Sequence, residues 1–162
     1  MFKKLNTKKL ATIAIISAVY STLTLILMPI SFGPIQFRIS EALTVLPLIF
    51  PEAVIGLTIG CLISNLFGYG VLDIVFGTLA TAISALLTYF IGKKIKNVNL
   101  KFILGAIPPV IINAVVIPII FILAGNTTEV YIINFLTVLL GQFVSVYVIG
   151  FNLYLATNKI KK

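Results

Sequence analysis

The sequence predicts an all-α integral membrane protein of six transmembrane helices with both termini cytoplasmic, and three observations predict it. The 162 residues are 60% hydrophobic and 10% charged, with a mean hydropathy of +1.18. Soluble domains sit near about 45–50% apolar and about 25% charged. Charge-free runs recur at close to the roughly 20 residues that a bilayer core requires of a helix. The lysines lie at the edges of those runs and not inside them.

The first span, about 10–30, is the uncharged run Leu10 to Ile30, preceded by Lys3, Lys4, Lys8 and Lys9. Such a start resembles a secretory signal, but the run is longer than an h-region and no A-x-A pattern follows, so it is read as a retained helix. The next stretch, Ile39 to Leu66, is interrupted by Pro47, Pro51 and Glu52 and reads as one long tilted helix or as two short segments, 39–50 and 52–66. Spans at about 71–92, 102–124 and 130–157 follow, the last two separated by the polar turn Gly125 to Glu129.

Lysine placement decides the interrupted stretch. Lys93, Lys94, Lys96 and Lys101 sit between the fourth and fifth spans, and Lys159, Lys161 and Lys162 close the chain. Positive residues prefer the cytoplasm, so an even number of crossings must separate the clusters, and 39–66 crosses twice or not at all. A single crossing would also put Glu52 near the bilayer centre at a cost of roughly 2.5–3.5 kcal/mol. A re-entrant hairpin preserves the parity, so two helices and a re-entrant pair both stand at this point. No repeat or low-complexity linker divides the chain, which is read as a single membrane domain, 1–162.

Composition excludes several chemistries. With no histidine and one cysteine, a His/Cys zinc site, an internal disulfide and a His-dependent triad are out. Gly92-Lys93-Lys94 lacks the spacing and hydroxyl of a phosphate loop, so any use of ATP needs another chain. The net charge of +8 follows the span edges, which argues for a lipid bilayer and against nucleic acid. No cofactor or metal is expected, and little remains with which an enzyme would catalyse.

This topology puts 31–38, 67–70 and 125–129 outside, and three of the four acids and the only arginine fall in or beside them. Gln36, Arg38 and Glu41 follow the first span, Asn65, Tyr69 and Asp73 bracket the third connection, and Glu129 and Asn134 open the last. An Arg38–Glu41 ion pair and an Asp73 helix cap would account for some of this blandly. One arginine cannot neutralise three acids, however, and charge at these positions is expensive without a partner. The surplus suits a cation or a ligand rich in N–H donors, which carboxylates accept in pairs.

Elsewhere the polar residues read as packing. Gly77, Thr78, Ala80, Thr81, Ser84 and Thr88 form one small-residue face, and Asn134, Thr137, Gly141, Ser145 and Asn152 another, with Gln142 beside it. Ala14-x-x-x-Ala18 on the first span, with Ser17 and Ser21 alongside, serves internal packing or docking of a partner. Asn113 is expected to satisfy a backbone group freed by Pro108, Pro109 or Pro118, and Cys61 to be an inert small apolar residue.

The run Phe32-Gly33-Pro34-Ile35-Gln36-Phe37-Arg38-Ile39-Ser40-Glu41-Ala42-Leu43-Thr44-Val45-Leu46-Pro47, followed by Gly70 to Thr81, resembles the QueT family over nearly the whole chain. These are S components of energy-coupling factor (ECF) transporters, assigned to precursors of the nucleoside queuosine. The resemblance implies a multi-pass protein of the bacterial cell membrane that captures a vitamin-like solute outside. It implies partners: a transmembrane scaffold, docked through Ala14 and Ala18, and two cytoplasmic ATPases, with the solute delivered inward by toppling of the S component. The implied solute is a 7-deazaguanine, whether the aminomethyl or cyano compound or queuine. Glu41 would then accept its guanine edge, Asp73 an aminomethyl cation, and Gln36, Arg38 and Asn65 the remaining polar atoms. Phe32, Phe37 or Tyr69 would stack on the ring, and Asn134 lies close enough to the outer surface to reach it. The competing expectation is a stand-alone proton-coupled transporter using Glu41 or Asp73.

Overall fold

Burial in this chain departs from that of a soluble domain, with many polar side chains inside and many large apolar ones outside. The computed structural model describes residues 6–31, 37–68, 70–125 and 130–160, and every regular element among them is helical. Thr24, Thr44, Ser64, Asn65, Ser84 and Thr88 are buried, while many Leu, Ile, Val and Phe side chains face outward. Lipid explains the departure: apolar side chains gain little by leaving lipid tails, whereas polar groups must find partners inside. The fifth helix displays it, with Ile103, Ile107, Ile111, Val115 and Ile119 exposed at every fourth residue and Phe102, Ala106, Val110, Ala114 and Ile117 buried.

The longer helical segments among the described residues follow in order. Helix α1 (Thr7–Ile26) is capped by Asn6, whose side chain accepts from Lys9 N at 3.0 Å. It stops at Leu27, ahead of Pro29, and one further turn runs Met28–Ser31. Helix α2 (Ile39–Leu48) is wound as 3₁₀, and α3 (Ala53–Leu66) is a regular α-helix. Helix α4 (Asp73–Lys94) opens on a π turn, Asp73–Gly77. Helix α5 (Val98–Leu123) is irregular at Ala106, and α6 (Tyr131–Lys159) carries a π segment, Val144–Ile149. Helices α1, α4, α5 and α6 are long and apolar enough to cross a membrane, whereas α2 and α3 are shorter.

Helix α2 is the unusual element. Runs of 3₁₀ longer than about 3–4 residues are uncommon because side chains eclipse and hydrogen bonds are poorer. This one is ten residues, buried continuously from Ser40 to Leu48. Irregular backbone at membrane depth is tolerated where protein surrounds it, and three glycines make the enclosure. A Cβ on Gly92 of α4 would stand 2.7 Å from Leu48 Cα, and one on Gly105 of α5 would collide with the Leu48 side chain. One on Gly150 of α6 would lie 3.1 Å from Val45 Cγ1. Three helices thus pack closely on α2 because each offers no side chain there, Gly92 and Gly150 reaching its backbone and Gly105 the side chain of Leu48.

Helices α2 and α3 are matched in length, each about 20 Å by rise per residue. They turn at 49–52, where Lys9 Nζ lies 3.6 Å from Glu52 Oε1. Leu48 meets Gly92, which precedes Lys93, and the Tyr154 hydroxyl donates to Val98 O at 3.1 Å, joining the end of α6 to the start of α5. Lys9, Lys93, Lys94 and Lys159 therefore gather at one end of the bundle. Arg38, Asn65 and Asp73 stand at the opposite ends of their segments, Asp73 about 30 Å along α4 from Lys93.

Helix α1 meets α3 through Gly56 and Gly60. A Cβ at either would come within 2.9 Å of Ile16 Cβ or of Ser17 O and Tyr20 Cβ. This contact turns Ile13, Ile16, Ser17 and Tyr20 inward and leaves Ala14 and Ala18 exposed on the other face.

Two expectations about polar residues are corrected. Pro109 has no N–H with which to reach Gly105 O; the group that partners this carbonyl is Thr88 Oγ1, at 2.9 Å, and Asn113 is engaged elsewhere. On α6 the buried face takes in Asn134, Gly141, Gln142 and Ser145, but the π segment shifts the register. Asn152 is exposed and donates to Val148 O at 3.1 Å.

Candidate functional site

At the end of the bundle away from the lysines, five segments bring charged, amide and hydroxyl side chains together in the buried interior. Glu41, in the first turn of α2, is 1% exposed. Its carboxylate is held from two sides: the Tyr20 hydroxyl of α1 donates to Oε1 at 2.5 Å, and Asn113 Nδ2 of α5 donates to Oε2 at 3.2 Å. The first turn of α2 is tied to α1 again by Thr24 Oγ1 and Ser40 Oγ, 2.7 Å apart. Each bond joins segments far apart in sequence, so the level of Glu41 is set by the packing of three helices at once.

Arg38, the residue before α2, is buried and pairs with Asp73 of α4, Nη2 to Oδ2 at 3.6 Å. Its guanidinium Nε also donates to Ser31 O at 3.3 Å, where the turn after α1 ends. The Arg38–Glu41 pair that their spacing allows is thus replaced by a longer-range one. Asp73 does not act as a helix cap either: neither of its carboxylate oxygens has a hydrogen-bond partner, although both are buried.

Asn65, near the end of α3, is buried against the π turn of α4. Its Nδ2 donates to Asp73 O at 3.0 Å, with Cys61 Sγ at 3.4 Å and Thr78 Oγ1 at 3.5 Å. Because Asp73 O can only accept, the amide must point its NH₂ that way, which fixes Oδ1 on the other side, buried and unpaired. Gly77 admits this approach: a Cβ there would lie 2.6 Å from Asp73 Oδ1 and 3.1 Å from Asn65 Nδ2. Gly70, at φ +121°, a conformation that favours glycine, turns the chain into α4, and its carbonyl accepts from Asp73 N and Ile74 N, both at 3.1 Å. Cys61 is less inert than expected, since its sulfur also accepts from Thr81 Oγ1 at 3.2 Å.

The structure therefore brings together four of the residues singled out in the sequence, Arg38, Glu41, Asn65 and Asp73. Asn134 is buried on α6, the helix that packs on α5. Gln36, Tyr69, Phe32 and Glu129 lie outside the described residues. Tyr20 was missed, although Ser17, Tyr20, Ser21 and Thr24 recur at three- and four-residue spacing and mark a polar inward face of α1. No group of three or more His, Cys, Asp or Glu able to hold a metal occurs among the described residues. What the site offers is acceptors: a carboxylate and an amide oxygen, buried, beside one fixed positive charge.

A family model described as QueT transporter matches residues 10–159. The chain is 42% identical over 83 residues to the Queuosine precursor transporter QueT of Lactococcus lactis subsp. cremoris (strain MG1363). That match covers 50% of this chain and 49% of the relative, so it spans about half the length of the curated protein. No solved structure matches the chain.

Proposed function

The chain belongs to the QueT transporter family, and from that premise we propose that it is the solute-capturing S component of an ECF importer for a 7-deazaguanine precursor of queuosine. It is a multi-pass membrane protein of a transporter family. In the proposed topology the chain forms a single membrane domain, 1–162, and crosses six times, with the lysine-bearing end of the bundle cytoplasmic. Support comes from Lys9, Lys93, Lys94 and Lys159 sharing one end and from the preference of positive residues for the cytoplasm.

The observation that carries the solute site is the buried cluster of Arg38, Asp73 and Asn65 with unpaired acceptors, at the end that this topology turns outward. A guanine edge presents a ring N–H and an exocyclic amine side by side, the donor pattern that such acceptors suit. Gln36, Arg38, Glu41, Asn65, Tyr69, Asp73 and Asn134 make up the proposed site. The name of the lactococcal relative supports the solute class.

Partner docking is proposed at Ala14 and Ala18. They are exposed on the face of α1 turned away from Gly56 and Gly60, where a second membrane protein can approach closely. ATP hydrolysis would reside in the two partner ATPases.

Calorimetric titration of the detergent-purified chain with guanine, 7-aminomethyl-7-deazaguanine, 7-cyano-7-deazaguanine and queuine tests this. Saturable binding of at least one deazaguanine by the chain alone is expected. Binding of none, together with proton-driven counterflow that collapses with a protonophore in the absence of any ATPase, would replace the reading with the proton-coupled one.

A further inference from the structure

The two acids at the site are held so differently that they cannot do the same work. Glu41 uses both carboxylate oxygens within the protein, one for Tyr20 and one for Asn113, on helices that approach it from different directions. Turning that carboxylate toward a solute would leave a buried hydroxyl and a buried amide without partners, a desolvation penalty for each. Asp73 is buried to the same degree, yet Oδ1 and Oδ2 accept no hydrogen bond. Its only charged partner among the described residues is Arg38, at 3.6 Å, longer than the roughly 2.7–2.9 Å of a charge-assisted hydrogen bond. Beside it Asn65 Oδ1 is unpaired and cannot swing away, because the NH₂ of the same amide is anchored on Asp73 O. Gly77 lets both side chains lie against the α4 backbone, where a Cβ would stand 2.6 Å from Asp73 Oδ1. Buried acceptors without donors are rare in folded proteins, and three atoms on two adjoining side chains form a surface that calls for N–H groups.

We infer that Asp73, with Asn65 Oδ1 beside it, is the acceptor that reads the donor edge of the solute, and that Glu41 is a positioning residue which fixes α2 and so Arg38. This rests on the proposed solute class and deepens it by reversing the roles that the family resemblance suggested for the two acids. The paired N–H and NH₂ of a 2-amino purine-like ring would meet Asp73. Arg38, already adjacent, would face the neighbouring ring oxygen. A ring lacking the exocyclic amine would leave one acceptor unpaired, and sites built to bond a donor reject analogues without it strongly.

The test compares 7-deazaguanine with 7-deazahypoxanthine, which differ only in that amine, by calorimetric titration of the whole chain in detergent. The unaltered protein is expected to prefer 7-deazaguanine at least tenfold. In Asp73→Asn, where an NH₂ replaces one acceptor, the preference should collapse to within about threefold. Tyr20→Phe, which removes a donor from Glu41, should lower the unfolding temperature and keep the tenfold preference. Since Asp73→Asn removes the carboxylate 3.6 Å from Arg38, the double variant Arg38→Met/Asp73→Asn serves if the single one does not fold, and it too should lose the preference. Preference retained without Asp73, or lost in Tyr20→Phe, would overturn the assignment while leaving the solute class standing. Failure of the unaltered protein to bind either ring would remove the solute class, and this inference with it.

Discussion

The Tyr20 hydroxyl of α1 donates to Glu41 Oε1 of α2 at 2.5 Å, with neither side chain open to solvent. Glu41 Oε2 takes its bond from Asn113 of α5, so one carboxylate clamps three segments. Tyr20→Phe removes one donor and strands a buried acceptor. The expected cost is about 1–3 kcal/mol of stability, read as a lower unfolding temperature in detergent. Unchanged stability would mean that the carboxylate finds another donor.

Gly77 is the position where a single methyl group should disturb the site most selectively. Gly77→Ala would bring Cβ to 2.6 Å from Asp73 Oδ1, and the carboxylate must move. Solute affinity is expected to fall at least tenfold, about 1.4 kcal/mol. Gly60→Ala, which crowds α1 against α3 away from Asp73, should by contrast act mainly on stability. Equal loss of affinity in both would argue that the effect at Gly77 is general.

The seats of the 3₁₀ helix can be told apart by rescue. Gly105→Ala meets the side chain of Leu48, whereas Gly92→Ala meets its backbone. Each is expected to cost about 1–3 kcal/mol by overpacking. Adding Leu48→Ala should recover part of the Gly105→Ala loss and none of the Gly92→Ala loss, a coupling that a double-mutant cycle measures.

Thr88 holds the carbonyl that Pro109 cannot reach. Thr88→Val keeps shape and leaves Gly105 O unpaired, with an expected loss of about 1–3 kcal/mol. Thr88→Ser, which keeps the hydroxyl, should restore most of it. If serine fails as valine does, the threonine methyl and not the hydrogen bond is what matters.

Docking has its own variants. Ala14→Leu and Ala18→Leu should block co-purification with the proposed scaffold and leave solute titration unchanged, because both residues face away from Tyr20 and the site. Assembly that survives both changes would move the docking surface elsewhere.

The sequence by itself determined that this is a helical membrane protein, because the bilayer imposes one requirement everywhere: long charge-free runs with lysines at their edges. It also marked Arg38, Glu41, Asn65 and Asp73, since charge and amides beside apolar runs demand a reason. Only the tertiary structure decided the rest. That Ile39–Leu48 is a buried 3₁₀ helix depends on Gly92, Gly105 and Gly150 from three other helices, and no local pattern carries such a condition. The partners of the charges are likewise non-local. Spacing favours Arg38 with Glu41, yet packing gives Arg38 to Asp73 and Glu41 to Tyr20 and Asn113. A side chain's neighbours along the sequence are set by helical geometry; its neighbours across the bundle are set by where glycines let backbones meet.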